Sequence, residues 1–82
     1  MVGDKLERVV CNLLDCDMFS IKYDETRKVI TAEFAVDRID SNQLEELAME
    51  LDEAGFDLLR YILEPVDDTM VLLRLVVRER AL

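Results

Sequence analysis

The chain of 82 residues contains no histidine and no tryptophan, and only two glycines, one proline and two cysteines. Without histidine, a nucleophilic site needs a carboxylate or a lysine as its base, and no such base is paired with a serine, threonine or cysteine in the sequence. A zinc site needs two more ligands than the cysteines supply, and no glycine-rich loop is present to hold a phosphate. We therefore expect a protein that is not an enzyme and that uses no cofactor and no metal.

The two cysteines, Cys11 and Cys16, fall at the end of a predicted helix. In a continuous helix this separation places them about 140° apart around the axis. Such a spacing argues against a disulfide or a shared metal unless the helix ends between them. We expect two reduced thiols with a structural role.

The net charge of −9 disfavours binding to nucleic acid and to anionic membranes, because every phosphate array repels the chain at long range. No apolar stretch approaches the ~20 residues of a membrane span, and the N-terminus carries acidic residues, unlike a signal peptide. These features predict a cytoplasmic protein. Charged residues make up 35% of the chain and side-chain amides are scarce, a balance that is typical of thermophiles.

Hydrophobic periodicity predicts an amphipathic helix over 4–15, with Asp4 as N-cap and Glu7 completing a capping box. Alternating strands are predicted over 18–24 and 28–36, joined by the polar turn DETR. The first half of the chain therefore reads helix, strand, strand.

The second half repeats this order. A helix is predicted with Asp40 or Ser41 as N-cap and with Gly55 directly after its end. Strands are predicted at about 56–64, ended by the single proline, and at about 69–79. When the two halves of the sequence are aligned, similar residues occupy equivalent positions.

An αββαββ chain predicts an α+β two-layer sandwich, in which a four-stranded antiparallel sheet carries both helices on one face. The second and fourth strands are the most apolar and are expected in the middle, because charged strands suit the edges. The resulting order, 3-4-2-1, is a permuted ferredoxin-like sheet with its first strand moved to the C-terminus. We interpret 1–82 as a single domain made of two αββ half-repeats, 4–37 and 40–80.

The sheet face opposite the helices combines apolar residues with arginines, a mixture that is typical of association surfaces. It is expected to carry Met18, Ser20, Lys22, Thr31, Glu33, Leu58, Arg60, Ile62, Leu72, Arg74, Val76 and Arg78. A contact with a second copy or another protein is predicted at Leu58, Arg60, Ile62, Leu72, Arg74 and Val76. The alternative is a solvated face on which Glu33 pairs with Arg74 and the arginine stems cover their aliphatic neighbours. The outward positions of the central strands hold no aromatic residue for stacking on RNA.

The stretch LEELAMELDEAGFDLLRYILEP, residues 44–65, resembles the second half of small ferredoxin-like ligand-binding domains of the ACT group. The resemblance covers about a quarter of the chain and rests on a helix that ends in Ala-Gly-Phe before a strand. It implies the same kind of fold. It brings no site residues, because the amino-acid-binding loop of ACT-like domains has no equivalent in this chain.

Two further functions remain open from the sequence. A regulatory domain could hold a small anion at Arg60, Arg74 and Arg78. A weak divalent-cation site could use the acidic turns, with oxygens from Asp37, Asp40, Asp67 and Asp68.

Overall fold

The computed structural model describes residues 2–80, apart from the side chains of Val2 and Phe19. The elements are α1 (Val2–Leu13), β1 (Cys16–Asp24), β2 (Val29–Val36), α2 (Ser41–Glu53), β3 (Phe56–Pro65) and β4 (Val71–Glu79). The predicted α+β class, with two helices and an antiparallel sheet, is confirmed.

The second helix begins and ends at residues that the sequence marks. Asp40 is the N-cap: its Oδ1 accepts a hydrogen bond of 2.8 Å from the Gln43 backbone N–H, and Gln43 Oε1 accepts one of 3.0 Å from the Asp40 N–H. This is a complete capping box. Gly55 follows the helix with φ +93°, a backbone conformation that side chains disfavour. Both predicted signals are confirmed.

The first helix is displaced toward the N-terminus relative to its prediction. It begins at Val2, so Asp4 lies inside the first turn and its predicted role as N-cap is wrong. A carboxylate in that turn is still favourable, because it faces the positive end of the helix dipole. The helix ends at Leu13 and not at residue 15, because the chain from Cys16 onward pairs with β2.

The four strands lie in the order β1-β2-β4-β3, and every neighbouring pair is antiparallel. Alternate residues of β2 and β4 point toward the helices and form one buried apolar core with them. The core consists of Leu6, Val10, Leu14, Ile30, Ala32, Phe34, Val36, Leu47, Leu51, Phe56, Leu73, Leu75 and Val77. Both helices therefore cover the same face of the sheet.

Each edge strand contains a register shift, one between Met18 and Ser20 and one between Leu58 and Arg60. An extra residue in one strand reverses the alternation of side chains from that point onward. As a result, Met18 and Leu58 face the helices and pack against the core, whereas the residues after each shift keep the expected orientation. The prediction that Met18 and Leu58 belong to the opposite face is wrong.

Candidate association surface

The face of the sheet that the helices leave uncovered is called the open face below. Its members follow from the pairing of all four strands and from the burial of alternate residues in β2 and β4. They are Asp17, Ser20, Lys22, Asp24, Val29, Thr31, Glu33, Ala35, Asp57, Arg60, Ile62, Glu64, Leu72, Arg74, Val76 and Arg78. Five of the six residues predicted as the contact lie here, the exception being Leu58.

The open face carries apolar side chains on β2, β3 and β4, and the Glu33–Arg74 pair lies among them. Ile62, Leu72 and Val76 are only partly exposed although neither helix covers them, because neighbouring side chains on the sheet shield one another. Val29 and Ala35, which were not predicted on this surface, add two more partly exposed apolar side chains on β2. Apolar residues mixed with arginine are typical of protein interfaces.

An ion pair crosses the middle of the open face between the two central strands. Glu33 and Arg74 are direct partners in the β2–β4 register. The Arg74 Nη2 and Nε groups donate hydrogen bonds of 2.9 and 3.2 Å, both to Glu33 Oε2. The side chains are 37% and 21% exposed for Arg74 and Glu33, so the pair lies in partial contact with water.

Charge is distributed unevenly between the open face and the rest of the molecule. The open face carries five acidic residues (Asp17, Asp24, Glu33, Asp57 and Glu64) and four basic residues (Lys22, Arg60, Arg74 and Arg78). The whole chain has 19 acidic and 10 basic residues. Nearly all of the net charge of −9 therefore lies outside the open face.

The three arginines of the anion hypothesis lie on the open face. Arg60 pairs with Val76, and Arg74 and Arg78 flank Val76 on β4. Arg74 is already bound to Glu33, which reduces its attraction for a further anion. The remaining two, Arg60 and Arg78, are exposed to solvent.

The acidic turns use their carboxylates for local hydrogen bonds. Asp67 Oδ1 accepts bonds from the Thr69 N–H at 2.8 Å, the Thr69 hydroxyl at 3.0 Å and the Met70 N–H at 2.9 Å. These bonds hold the pKa of Asp67 below its usual range, the Thr69 N–H having the largest effect. Within residues 2–80, no three histidine, cysteine, aspartate or glutamate side chains are grouped as metal ligands.

Other surfaces are less well suited to a ligand. A half-open hollow of about 120 Å³ lies between the helices, lined by Val9, Asn12, Leu13 and Glu50. This volume is below the roughly 300–1,000 Å³ of small-molecule sites. Large exposed apolar side chains also line the helix-side margins of the edge strands, including Ile21, Tyr23, Tyr61 and Leu63.

The helices in the described part of the chain are too short and too polar to cross a membrane. No protein-family model matches the chain, and comparisons with curated proteins and with solved structures find no match. The resemblance of residues 44–65 to ACT-like domains stays a prediction.

Proposed function

We propose that this protein is a non-enzymatic association module that forms a homodimer through its open face. The observation that carries the proposal is the near balance of charge on that face beside a strongly acidic remainder. A surface that carries both signs of charge among apolar residues is complementary to a second copy of itself, as a two-fold symmetric contact requires.

Packing two open faces together also separates the charges that repel. The helices lie on the opposite side of the sheet, and α2 carries Glu45, Glu46, Glu50, Asp52 and Glu53. In a face-to-face dimer these helices become the two outer layers, with both sheets between them. At such separations salt screens much of the repulsion between the acidic surfaces.

The central ion pair is suited to a reciprocal contact. Both Arg74 donors bind Oε2, and the second carboxylate oxygen of Glu33 accepts no hydrogen bond from the described residues. In a two-fold contact, Arg74 of each copy can donate to Glu33 of the other, so each carboxylate receives donors at both oxygens. The contact also removes apolar surface from water, which supplements the small core of an 82-residue chain.

The proposal also covers the topology of the fold and the cellular location of the protein. We interpret the sheet, with β2 and β4 in the middle, as a ferredoxin-like sheet whose first strand has moved to the C-terminus. The similar placement of the register shifts in β1 and β3 supports the interpretation of two half-repeats. We place the protein in the cytoplasm on the basis of its charge and of its two thiols, which we expect to be reduced.

Sedimentation velocity over the micromolar range tests the dimer directly. The wild-type chain should sediment as a dimer, about twice its 9.5 kDa mass. Arg74→Glu places two carboxylates side by side in the centre of the contact. Its dissociation constant should rise by at least about 30-fold, because leaving a buried interfacial charge unpaired costs about 2–5 kcal/mol.

Two control variants separate the contact from general effects of charge. Arg8→Glu makes the same charge change on the exposed surface of α1 and should leave the dimer unchanged. The double variant Glu33→Arg with Arg74→Glu restores an ion pair of opposite orientation and should restore the dimer. A monomeric wild type, or an Arg74→Glu variant that dimerises like the wild type, would overturn the proposal.

The convergence of Arg60, Arg74 and Arg78 around Val76 favours a second candidate, a regulatory site for a small anion. Inorganic phosphate should then raise the melting temperature of the wild type but not that of a variant carrying Arg60→Ala and Arg78→Ala. An equal effect on both proteins would remove this candidate. The dimer proposal does not depend on the result.

A further inference from the structure

The two cysteines lie in contact at the point where α1 ends and β1 begins. The Cys11 and Cys16 sulfurs are 3.0 Å apart, and the Cys11 thiol also donates to the Cys16 carbonyl oxygen at 3.2 Å. Both residues are half-buried and pack against the core. The contact exists because the helix stops at Leu13 and the chain reverses over the next two residues.

This arrangement differs from the expectation drawn from sequence spacing. In a continuous helix the two side chains point in directions about 140° apart. With Cys11 in the last turn of α1 and Cys16 as the first residue of β1, the side chains converge from two different elements. The helix does end between the two cysteines, so their spacing permits a disulfide.

We propose that Cys11 and Cys16 form a reversible redox pair, which closes to an intramolecular disulfide when a low-molecular-weight disulfide oxidises the protein. The Cys11 thiolate attacks one sulfur of the oxidant and displaces its other half as a thiolate, leaving a mixed disulfide on Cys11. The Cys16 thiolate then attacks the Cys11 sulfur and displaces the second half. Two electrons pass from the protein to the oxidant, which leaves as two thiols after taking up the two cysteine protons.

The surroundings of Cys16 assign the order of attack. Burial raises the pKa of the Cys16 thiol, and the contact with Cys11 and the charges of Asp17 and Asp15 raise it further. The raised pKa keeps the Cys16 thiol protonated at neutral pH, which disfavours it as the first attacking group. Once Cys11 is in a mixed disulfide it carries no negative charge and no S–H group, so two causes of the raised pKa disappear. Burial still raises the pKa, and the closeness of the two sulfurs favours the attack of Cys16 on the mixed disulfide.

Within the described part of the chain, no candidate metal site uses these two sulfurs. They belong to no group of three metal-ligating side chains within residues 2–80. They also lie on the helix side of the sheet, away from the open face, since Cys16 pairs with the buried Val36. The redox step is thus independent of the proposed dimer.

Glutathione disulfide, added to the reduced protein, is a suitable probe. After the reaction is stopped with iodoacetamide, the wild-type chain should be lighter than the reduced chain by two hydrogen atoms and should carry no alkyl group. Cleavage before aspartate residues cuts the chain at Asp15, between the cysteines. The two fragments should stay joined until a reductant is added.

Single variants show which sulfur reacts first. Cys16→Ser should retain a glutathione adduct on Cys11. At the same concentration of glutathione disulfide, the wild type should carry less than about a tenth as much adduct, because the neighbouring thiol has a high effective concentration. Cys11→Ser should gain its adduct more slowly than Cys16→Ser, because burial and the charges of Asp17 and Asp15 still raise the pKa of the Cys16 thiol when Cys11 is replaced.

Three results would overturn the proposal or its order of attack. A wild type that accumulates the mixed adduct to the level of Cys16→Ser shows that the pair does not close. Disulfide-linked dimers on a non-reducing gel show that the sulfurs meet between molecules. Equal rates of adduct formation in the two single variants contradict the assigned order.

Discussion

The two connections between a helix and its following strand have the same length but different chemistry. Leu14 and Asp15 join α1 to β1, and Ala54 and Gly55 join α2 to β3. In the second connection Gly55 adopts φ +93°, whereas the first contains no residue with positive φ. One connection therefore needs a glycine, and the other turns with ordinary backbone conformations.

The two connections are also held in place by different groups. At the second, the Arg80 backbone N–H donates to the Gly55 carbonyl oxygen at 2.8 Å, and its guanidinium contacts Asp52 and, at 3.1 Å, Asp57. At the first, the contact is between the Cys11 and Cys16 sulfurs. A two-residue connection between a helix and a strand can thus be held by exposed ion pairs, which respond to salt, or by thiols, which respond to oxidants and to pH.

The largest expected effects test whether the two helices contribute equally to the shared core. Leu6 of α1 and Leu47 of α2 are both fully buried in one cluster. Leu6→Ala and Leu47→Ala should each lower the free energy of unfolding by about 2–4 kcal/mol, through lost burial and the cavity left behind. Denaturant unfolding measures both values. A loss below ~1 kcal/mol for either variant would show that its helix packs less closely than the structure indicates.

Smaller effects are expected from the glycines near the two helices. Gly55→Ala should cost roughly 1–2 kcal/mol from backbone strain alone, because the added Cβ meets only Lys5 Nζ, at 3.9 Å. Gly3→Ala is the matched control inside α1. Its Cβ comes within 3.1 Å of the Ile21 side chain, which is 40% exposed and can move aside.

Gly3→Ala should therefore stabilise the protein, by up to about 1 kcal/mol, since alanine favours the helix more than glycine does. Thermal and denaturant unfolding of both variants measure the contrast. If Gly55→Ala is as stable as the wild type, the second connection does not need a glycine.

The smallest expected effect is a pH dependence that belongs to the first connection only. Burial raises the pKa of the Cys16 thiol in the folded protein, whereas in the unfolded chain it ionises near its ordinary value of 9.0. Above that pH the folded state holds more protons than the unfolded state, so stability falls as pH rises. Under reducing conditions, Cys16→Ala should have a flatter dependence between about pH 8 and pH 10.5 than the wild type.

Val9→Ala is the control for this measurement, because it removes a half-buried apolar group next to the core without removing a titrating one. It should keep the alkaline slope of the wild type. An identical slope in Cys16→Ala and the wild type would mean that the thiol ionises alike in the folded and unfolded chains.

Much of the fold could be predicted because its signals are local. The cap at Asp40 depends on a side chain that reaches three residues along the chain, and Gly55 depends on its own backbone angle. The alternation in β2 and β4 likewise identifies the buried residues of the central strands without knowledge of their partners. Most of the open face followed from the same alternation.

The errors fell where the outcome depends on contacts between distant parts of the chain. Leu58 does not lie on the predicted surface, because the pairing of β3 with β4 shifts register between Leu58 and Arg60. An alternating sequence does not reveal which strand contains the extra residue. The end of α1 was misplaced because the pairing of Cys16 with Val36 requires the chain to leave the helix at Leu14 and Asp15. Neither event has a local signal.

The amino-acid sequence alone determined the α+β class, the helical and strand periodicities, the cap of α2 and the acidic character of the chain. These properties depend on the order of neighbouring residues and on composition. Only the tertiary structure decided which face Leu58 joins, how charge divides between the two sides of the sheet, and that Cys11 meets Cys16. Those outcomes arise from the pairing of strands and the reversal of the chain after α1, which bring together residues whose separation in sequence carries no sign of contact.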